Sequence, residues 1–488
     1  MHTSIRAKLK ELFGIDLRSL ALFRIGLALV LLGDLYIRFF DLGAHYTDSG
    51  VLPREAVIEK LLDPWAFSLH LANGTWQFEL ILFLIHALCG VALLVGYQTR
   101  LATLLCWILT NSLMNRNPSI LQGGDDVLKL LLFWSMFLPL GALWSLDSHC
   151  KEKQTPLYEN QIVSAGTLAL LIQVSSIYWF ASLLKTDPVW TIDGTAVWYS
   201  LSIEQYATSL GKNLLQYPAL LKIFSFTSLY LETYGPFFAF FPIWTAPLRI
   251  ATVITFILFH LIGLNLTMEL ALFPYICAVA WITFIPGVFW NWLLGFFRNS
   301  LYLKSLLIRP CNVPEKAWEA SPFSNGLASF FLIYVFFLNL STLNEYNQKL
   351  FVPLQPLGNF LGLDQKWEMF APYPITEDGW YVIPAILRDG TKLDLYTEKS
   401  PVSWEKPNLL SHTYPNDRWR SYLMNLYLEN DEMMADYAGY LCAKWNATHP
   451  PEKRLERFQI VLMSRINSIQ QPEAPYKQKI FWEQACGN

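Results

Sequence analysis

The sequence predicts a polytopic α-helical membrane protein of about nine transmembrane helices, carrying a C-terminal α+β extramembrane domain on the outer face. Three observations lead there. The 488 residues are 53% hydrophobic and 15% aromatic, with 19 tryptophans, which is too apolar for a soluble chain of this length. Apolar segments long enough to cross a bilayer alternate with short loops bearing Lys and Arg. After residue 343 the composition turns polar, and strand and turn signals replace the long apolar runs.

Taken in order, the spans are expected near 18–40, 76–96, 101–116, 126–145, 161–184, 217–242, 248–267, 270–297 and 326–343. The start, Met1 to Arg18, is basic, but the run after it carries Arg24, Asp34 and Arg38 and lacks a small-residue cleavage site, so it reads as a retained first span. The positive-inside rule then sets the orientation. With the N-terminus cytoplasmic, Arg6, Lys8, Lys10 and Arg18, then Arg100, Lys151 and Lys153, Arg249, and finally Arg298, Lys304, Arg309 and Lys316 fall inside. An odd number of spans puts residues 344–488 outside, on the same side as Lys185.

Residues 344–488 form the second expected domain, after a membrane domain over 1–343. It opens on Trp367-Glu-Met-Phe-Ala-Pro-Tyr-Pro, and two β-like runs follow, from Gly379 and from Thr391, joined by Arg388-Asp389-Gly390. An Asp-Gly between such runs signals a hairpin. Helical patterns over about 417–445 and a strand-like run, Arg457 to Met463, complete an α+β unit. Cys442 and Cys486 both fall in this region and could pair.

Composition also removes function classes. A net charge of −3 without basic runs gives no nucleic-acid footprint, and seven cysteines without a CxxC or Cys/His cluster give no zinc, iron-sulfur or haem signature, so no metal is expected. There is no internal repeat, and no inverted symmetry of paired broken helices that would favour a transporter.

Ionisable groups inside spans are costly and mark function or tight pairing. Asp34 and Arg38, four apart on one helical face, are placed to pair with each other. His86 stands alone on an apolar helix and reads as a hydrogen-bonded core histidine. Gln122-Gly-Gly-Asp125-Asp126 opens the fourth span, where an aspartate can cap the helix or face a site on the outer side. In Phe259-His260-Leu-Ile-Gly-Leu-Asn265-Leu-Thr-Met-Glu269, followed by Phe273-Pro274-Tyr275, the histidine, amide and carboxylate are expected at the depth of Lys185; they serve either a site or interhelical hydrogen bonding. Lys185 itself ends an apolar helix at Lys185-Thr-Asp187-Pro-Val-Trp190. It reads either as a lysine snorkelling to the interface or as a partly dehydrated amine able to act as a base.

Lys185-Thr-Asp187-Pro-Val-Trp190 resembles the Lys-x-Asp-x-x-Trp passage around the catalytic lysine of the vitamin K-dependent γ-glutamyl carboxylases. Phe259-His260 with Phe273-Pro274-Tyr275, Trp144-Ser145-Leu-Asp147, Trp367-Glu-Met, and Arg418-Trp419 after the Arg388-Asp389-Gly390 hairpin are similar to that family in the same order. The Asp16-Leu-Arg18-Ser…Arg24 entry and the His45-Tyr-Thr-Asp48-Ser-Gly-Val-Leu-Pro53 loop look like the bacterial HTTM (horizontally transferred transmembrane) branch. The resemblance implies a bacterial inner-membrane enzyme that oxidises a reduced quinone, vitamin K or menaquinol, to its epoxide with O2 while adding CO2 to glutamyl residues of an exported peptide. By this carry-over Lys185 is the base and His260 positions or stabilises the oxygenated quinone. Asp125, Asp126, Asn265, Glu269, Tyr275 and Trp190 are the candidate cofactor contacts.

One departure qualifies the resemblance. The family's Asn-His-Ser-Tyr passage falls on Gln122-Gly123-Gly124-Asp125, so its histidine is missing, and carboxylates stand nearby. The alternative is therefore a non-carboxylating HTTM membrane protein that assists maturation or export of a secreted peptide.

Overall fold

The computed structural model describes residues 5–149, 160–296, 318–429, 431–471 and 474–487. Lys151, Lys153, Arg298, Lys304, Arg309 and Lys316, used above for orientation, lie outside the described residues. Five of the expected spans correspond to helices long and apolar enough to cross a bilayer: Leu17–Phe40, Trp76–Val95, Ala165–Leu184, Thr245–Thr267 and Pro322–Ser341. Where 270–297 was expected as one span, Phe273–Phe284 and Gly287–Phe296 meet at 92° across Ile285-Pro286. Counted as one, this broken pair is a sixth.

The other expected spans hold helices that fall short by length or apolarity. Thr99–Arg116 carries Arg100 and Arg116, and Pro218–Phe238 carries Lys222 and Glu232 among Ser, Thr and Tyr. The expectation over 126–145 is corrected to Gly123–Ser135, 13 residues, which is about 20 Å against a hydrocarbon core of about 30 Å. Tight turns follow, with Leu138 N–H on the Ser135 carbonyl and Ala142 N–H on that of Pro139.

Exposed apolar faces agree with a bilayer as solvent. Leu84 and Leu88 on one helix, and Phe330, Ile333 and Phe336 on another, stand outward where water would penalise them. The chain is an integral membrane protein.

The C-terminal region is an antiparallel sheet backed by helices Asp417–Glu429 and Asp431–Thr448. Glu377–Val382 and Pro384–Leu387 run along Leu455–Ile466, in one register as far as Ile386 and shifted at Leu387, and its other edge takes Lys477–Ala485. Pro384–Leu387 pairs with Lys392–Asp394 through the expected hairpin. Gly390, at φ 85°, supplies the left-handed residue the turn requires, and Asp389 Oδ1 accepts from Thr391 N–H at 2.9 Å. Cys442 and Cys486 are disulfide-bonded, joining the second helix to the residue just after the last strand.

A buried charge network ties this region to the helices. Arg38 Nε donates to Asp34 Oδ2 at 2.7 Å, Arg418 Nη1 to Asp125 Oδ2 at 2.6 Å and Arg418 Nη2 to Asp34 Oδ1 at 2.5 Å, while Arg38 Nη2 reaches Asp125 Oδ1 at 2.5 Å. Two cations and two anions thus neutralise each other out of water, which makes their burial tolerable. Asp34 and Arg38 come from helix Leu17–Phe40, Asp125 from the first turn of Gly123–Ser135 and Arg418 from the first turn of Asp417–Glu429. Beside it, burial, with help from the Arg38 and Arg418 charges, pulls the His45 imidazole down to about 3, so the ring is neutral where it packs 4.5 Å from Trp419.

Candidate functional site

Helix Ala165–Leu184 begins at Ser164, whose side chain accepts from Thr167 N–H, and it stops at Lys185 because Asp187-Pro188 cannot continue it. Asp187 Oδ1 accepts from Val189 N–H at 2.9 Å and starts the short helix Pro188–Thr191. The end of the apolar helix therefore delivers Lys185, 4% exposed, into the interior.

Lys185 Nζ lies 2.5 Å from Glu232 Oε2 and 5.2 Å from the centroid of the Trp190 ring. Trp190 is held by its own indole, which donates to the Phe370 carbonyl at 2.9 Å. Glu232 comes from helix Pro218–Phe238, on the face that also carries buried Ser225 and Leu229. A carboxylate at this distance holds the amine as an ion pair, shielded from bulk water on most sides.

Two turns before Lys185, on the same helical face, Tyr178 begins a second polar chain. Trp281 Nε1 donates to the Tyr178 hydroxyl at 2.9 Å, and that hydroxyl stands 3.3 Å from His260 Nε2. His260 Nδ1 is 2.8 Å from the Phe256 carbonyl, which can only accept, so the ring proton sits on Nδ1 and Tyr178 donates to Nε2. The backbone widens into a π-helical turn over Phe259–Leu264 at this point, a distortion that often accompanies functional sites.

These groups face one cavity of about 950 Å3, at the upper end of the size range of small-molecule sites. Lys185, Glu232, Tyr178, His260 and Trp190 all line it. Its walls are mainly apolar, with Phe224, Phe259, Phe273 and Met369 among them, and Gln122, Arg420, Ser421 and Asn425 add further polar groups. Gln122 Nε2 donates to Ser421 Oγ at 2.7 Å, whereas its Oε1 is buried with no partner among the described residues. Gly123, where the resembled family has its histidine, also lines the cavity. A Cβ there would meet Met369 Sδ at 3.0 Å, so a side chain at this position would require the methionine to shift by a few tenths of an ångström.

The remaining candidates lie elsewhere. Asp125 has no free oxygen: it accepts from Gln122 N–H at 2.7 Å, closing the helix start, and from Arg38 and Arg418. Asp126 pairs with Lys129 at 3.0 Å, and Lys129 reaches Asp364 at 3.1 Å. Neither aspartate lines the cavity. Asn265, Glu269 and Tyr275 line a separate cleft of about 600 Å3 with Ser411, His412 and Asn416. A left-handed turn at Ala271, φ 51°, carries the chain away between this cleft and helix Phe273–Phe284. The carboxylate beside Lys185 is therefore Glu232 and not Glu269. Glu232 and Tyr178 are absent from the residues picked out of the sequence, yet Glu232 carries the same signal as Asp34, an ionisable group within an apolar helix.

No protein of curated function and no solved structure matches the chain. A family model for the HTTM domain matches residues 14–290, a stretch that contains Tyr178, Lys185, Glu232 and His260. Because the match covers more than half of the 488 residues, the chain belongs to the HTTM domain family.

Proposed function

We propose that the protein is a quinol-dependent membrane enzyme of the vitamin K-dependent γ-carboxylase type, acting on glutamyl residues of an exported peptide on the outer side of a bacterial inner membrane. The observation that carries this reading is the Lys185–Glu232 pair opening onto a large, mostly apolar cavity shared with His260. The HTTM domain is linked to vitamin K-dependent carboxylase-like membrane proteins, which supports it further.

The lining fits a reduced quinone. Lys185 and Glu232 would hold a ring hydroxyl, Trp190, Phe259 and Phe273 would face the ring, and the apolar walls suit a lipid tail. When bound, a reduced quinone supplies, through its oxidation by O2 to the epoxide and water, the basicity that breaks the glutamyl γ-C–H bond, after which a new carbon–carbon bond forms to CO2. Lys185 would accept the hydroxyl proton at Nζ. Glu232, 2.5 Å away, would balance the charge of the ammonium that results. The Phe256 carbonyl sets the His260 tautomer, and Tyr178, itself held by Trp281, fixes the ring, which keeps that wall rigid. Met369 and Phe370, on the cavity wall, would help keep water from a strongly basic centre.

The test is reconstitution of the purified chain with reduced vitamin K or menaquinol, labelled bicarbonate, O2 and a glutamate peptide. Lys185-dependent label in the peptide, with quinone epoxide in equal amount, is the expected result. Absence of both rejects the reading.

Gly123 favours a second reading, a non-carboxylating membrane protein that assists maturation or export of a secreted peptide, because no proton-carrying side chain stands there. On that reading Lys185→Ala keeps peptide maturation intact, whereas changes on the surface of the C-terminal sheet region abolish it.

A further inference from the structure

Arg420 stands where the two cavities meet, for it lines both the apolar cavity and the polar cleft. Its Nη1 donates to Glu269 Oε2 at 3.1 Å and its Nη2 to the Glu269 carbonyl at 2.6 Å. The guanidinium lies over the Tyr206 ring at 4.8 Å, and its Nε is buried without a partner among the described residues. Glu269 is tied more loosely. Its other oxygen accepts from Ser411 Oγ at 3.1 Å and lies 3.7 Å from His412 Nε2.

The pair is unequal in a way that matters. The Arg420 side chain is 3% exposed and Glu269 34%. A buried guanidinium must keep an anionic partner, whereas a carboxylate one-third in water is released at small cost. A planar guanidinium with an unused Nε–H can take an incoming carboxylate through two parallel hydrogen bonds, a stronger arrangement than the single side-chain bond Glu269 provides. On the far side, Ser421 and Asn425 follow Arg420 along its helix into the apolar cavity, beside the unpaired Gln122 Oε1.

We infer that the cleft receives a polypeptide segment bearing an acidic side chain, and that Glu269 is a placeholder carboxylate on Arg420, displaced when that side chain binds. Displacement removes the partition between cleft and cavity. The inference deepens the proposed function, since the acidic segment is then the polypeptide to be acted on, but the binding step needs no quinone, O2 or CO2.

The experiment uses the full chain in lipid nanodiscs and two fluorescent eight-residue peptides, one with two glutamates and one with glutamines in their place, followed by fluorescence anisotropy without any co-substrate. The glutamate peptide is expected to bind at least tenfold more tightly. Arg420→Gln should erase the difference, and Arg420→Lys, which keeps the charge but loses the fork, should retain only part of it. Glu269→Gln should tighten the glutamate peptide several-fold and leave the glutamine peptide unchanged. Should Arg420→Gln fail to fold, Glu269→Gln decides. Equal binding of both peptides to the unmodified chain, or weaker glutamate-peptide binding after Glu269→Gln, overturns the inference. Discrimination between the peptides alongside a blank carboxylation assay upholds the docking site and removes the enzyme reading instead.

Discussion

Lys185 and Glu232, 47 residues apart in sequence, bring Nζ and Oε2 to 2.5 Å on the wall of the mainly apolar cavity. If the two act as one base, their losses are not additive. Lys185→Ala and Glu232→Gln should each lower quinol turnover by roughly 10²–10⁴-fold, and the double variant should be no worse than Lys185→Ala alone. Turnover in proteoliposomes measures this, and independent, multiplying losses would show that the pair is structural.

Tyr178 predicts a different pattern. Replacing it by Phe leaves the Trp281 indole N–H and His260 Nε2 buried without partners, at a cost of about 1–3 kcal/mol for each group. A lower melting temperature with weakened quinone binding is expected. Unchanged stability would mean that the three groups repack without the hydroxyl.

Arg418 reaches from the C-terminal region to both Asp34 and Asp125. Arg418→Met leaves two buried carboxylates facing Arg38 alone and should destabilise the fold by roughly 3–5 kcal/mol. Limited proteolysis should then release the C-terminal region first. A variant as resistant as the parent would show that the apolar core alone holds the two parts together.

Asp378 supplies a pH prediction. Both its carboxylate oxygens are buried with no partner at hydrogen-bond distance among the described residues, and burial, reinforced by Glu204, pushes the group up to about 7 against the pull of Arg465, Lys406 and the Gln205 backbone. A raised folded value means the folded state holds a proton that the unfolded state has released. Stability therefore falls as pH rises from about 4 and levels off above about 7. Asp378→Asn should raise stability at pH 7 and change little at pH 4, read as melting temperature against pH. An equal gain at both values would contradict this origin.

What the sequence made legible follows from which forces are local. Leu17–Phe40 and Pro322–Ser341 were visible because a bilayer demands a long unbroken apolar run, and the Asp389-Gly390 hairpin because its turn needs Gly at positive φ. The end of Gly123–Ser135 was not, since Leu-Leu-Phe-Trp-Ser135-Met-Phe-Leu stays apolar past the point where the helix gives way to turns. Lys185 and His260 announced themselves as ionisable groups beside apolar helices, and both line the cavity. Their partners did not. That Glu232 meets Lys185 while Glu269 meets Arg420 depends on how helices pack and on one left-handed turn at Ala271, neither of which has a sequence period.

On the proposed function, the chamber at Lys185 and Glu232 holds a ring-bearing lipid. Photolabelling with an azido-menaquinone in native lipid, followed by peptide mass spectrometry, tests it directly. Adducts are expected on the segments around Lys185–Trp190 and Phe259–Thr267, competed by unlabelled menaquinol and reduced by Glu232→Gln. Label confined to outward residues such as Phe330 and Ile333, and indifferent to competitor, would contradict it.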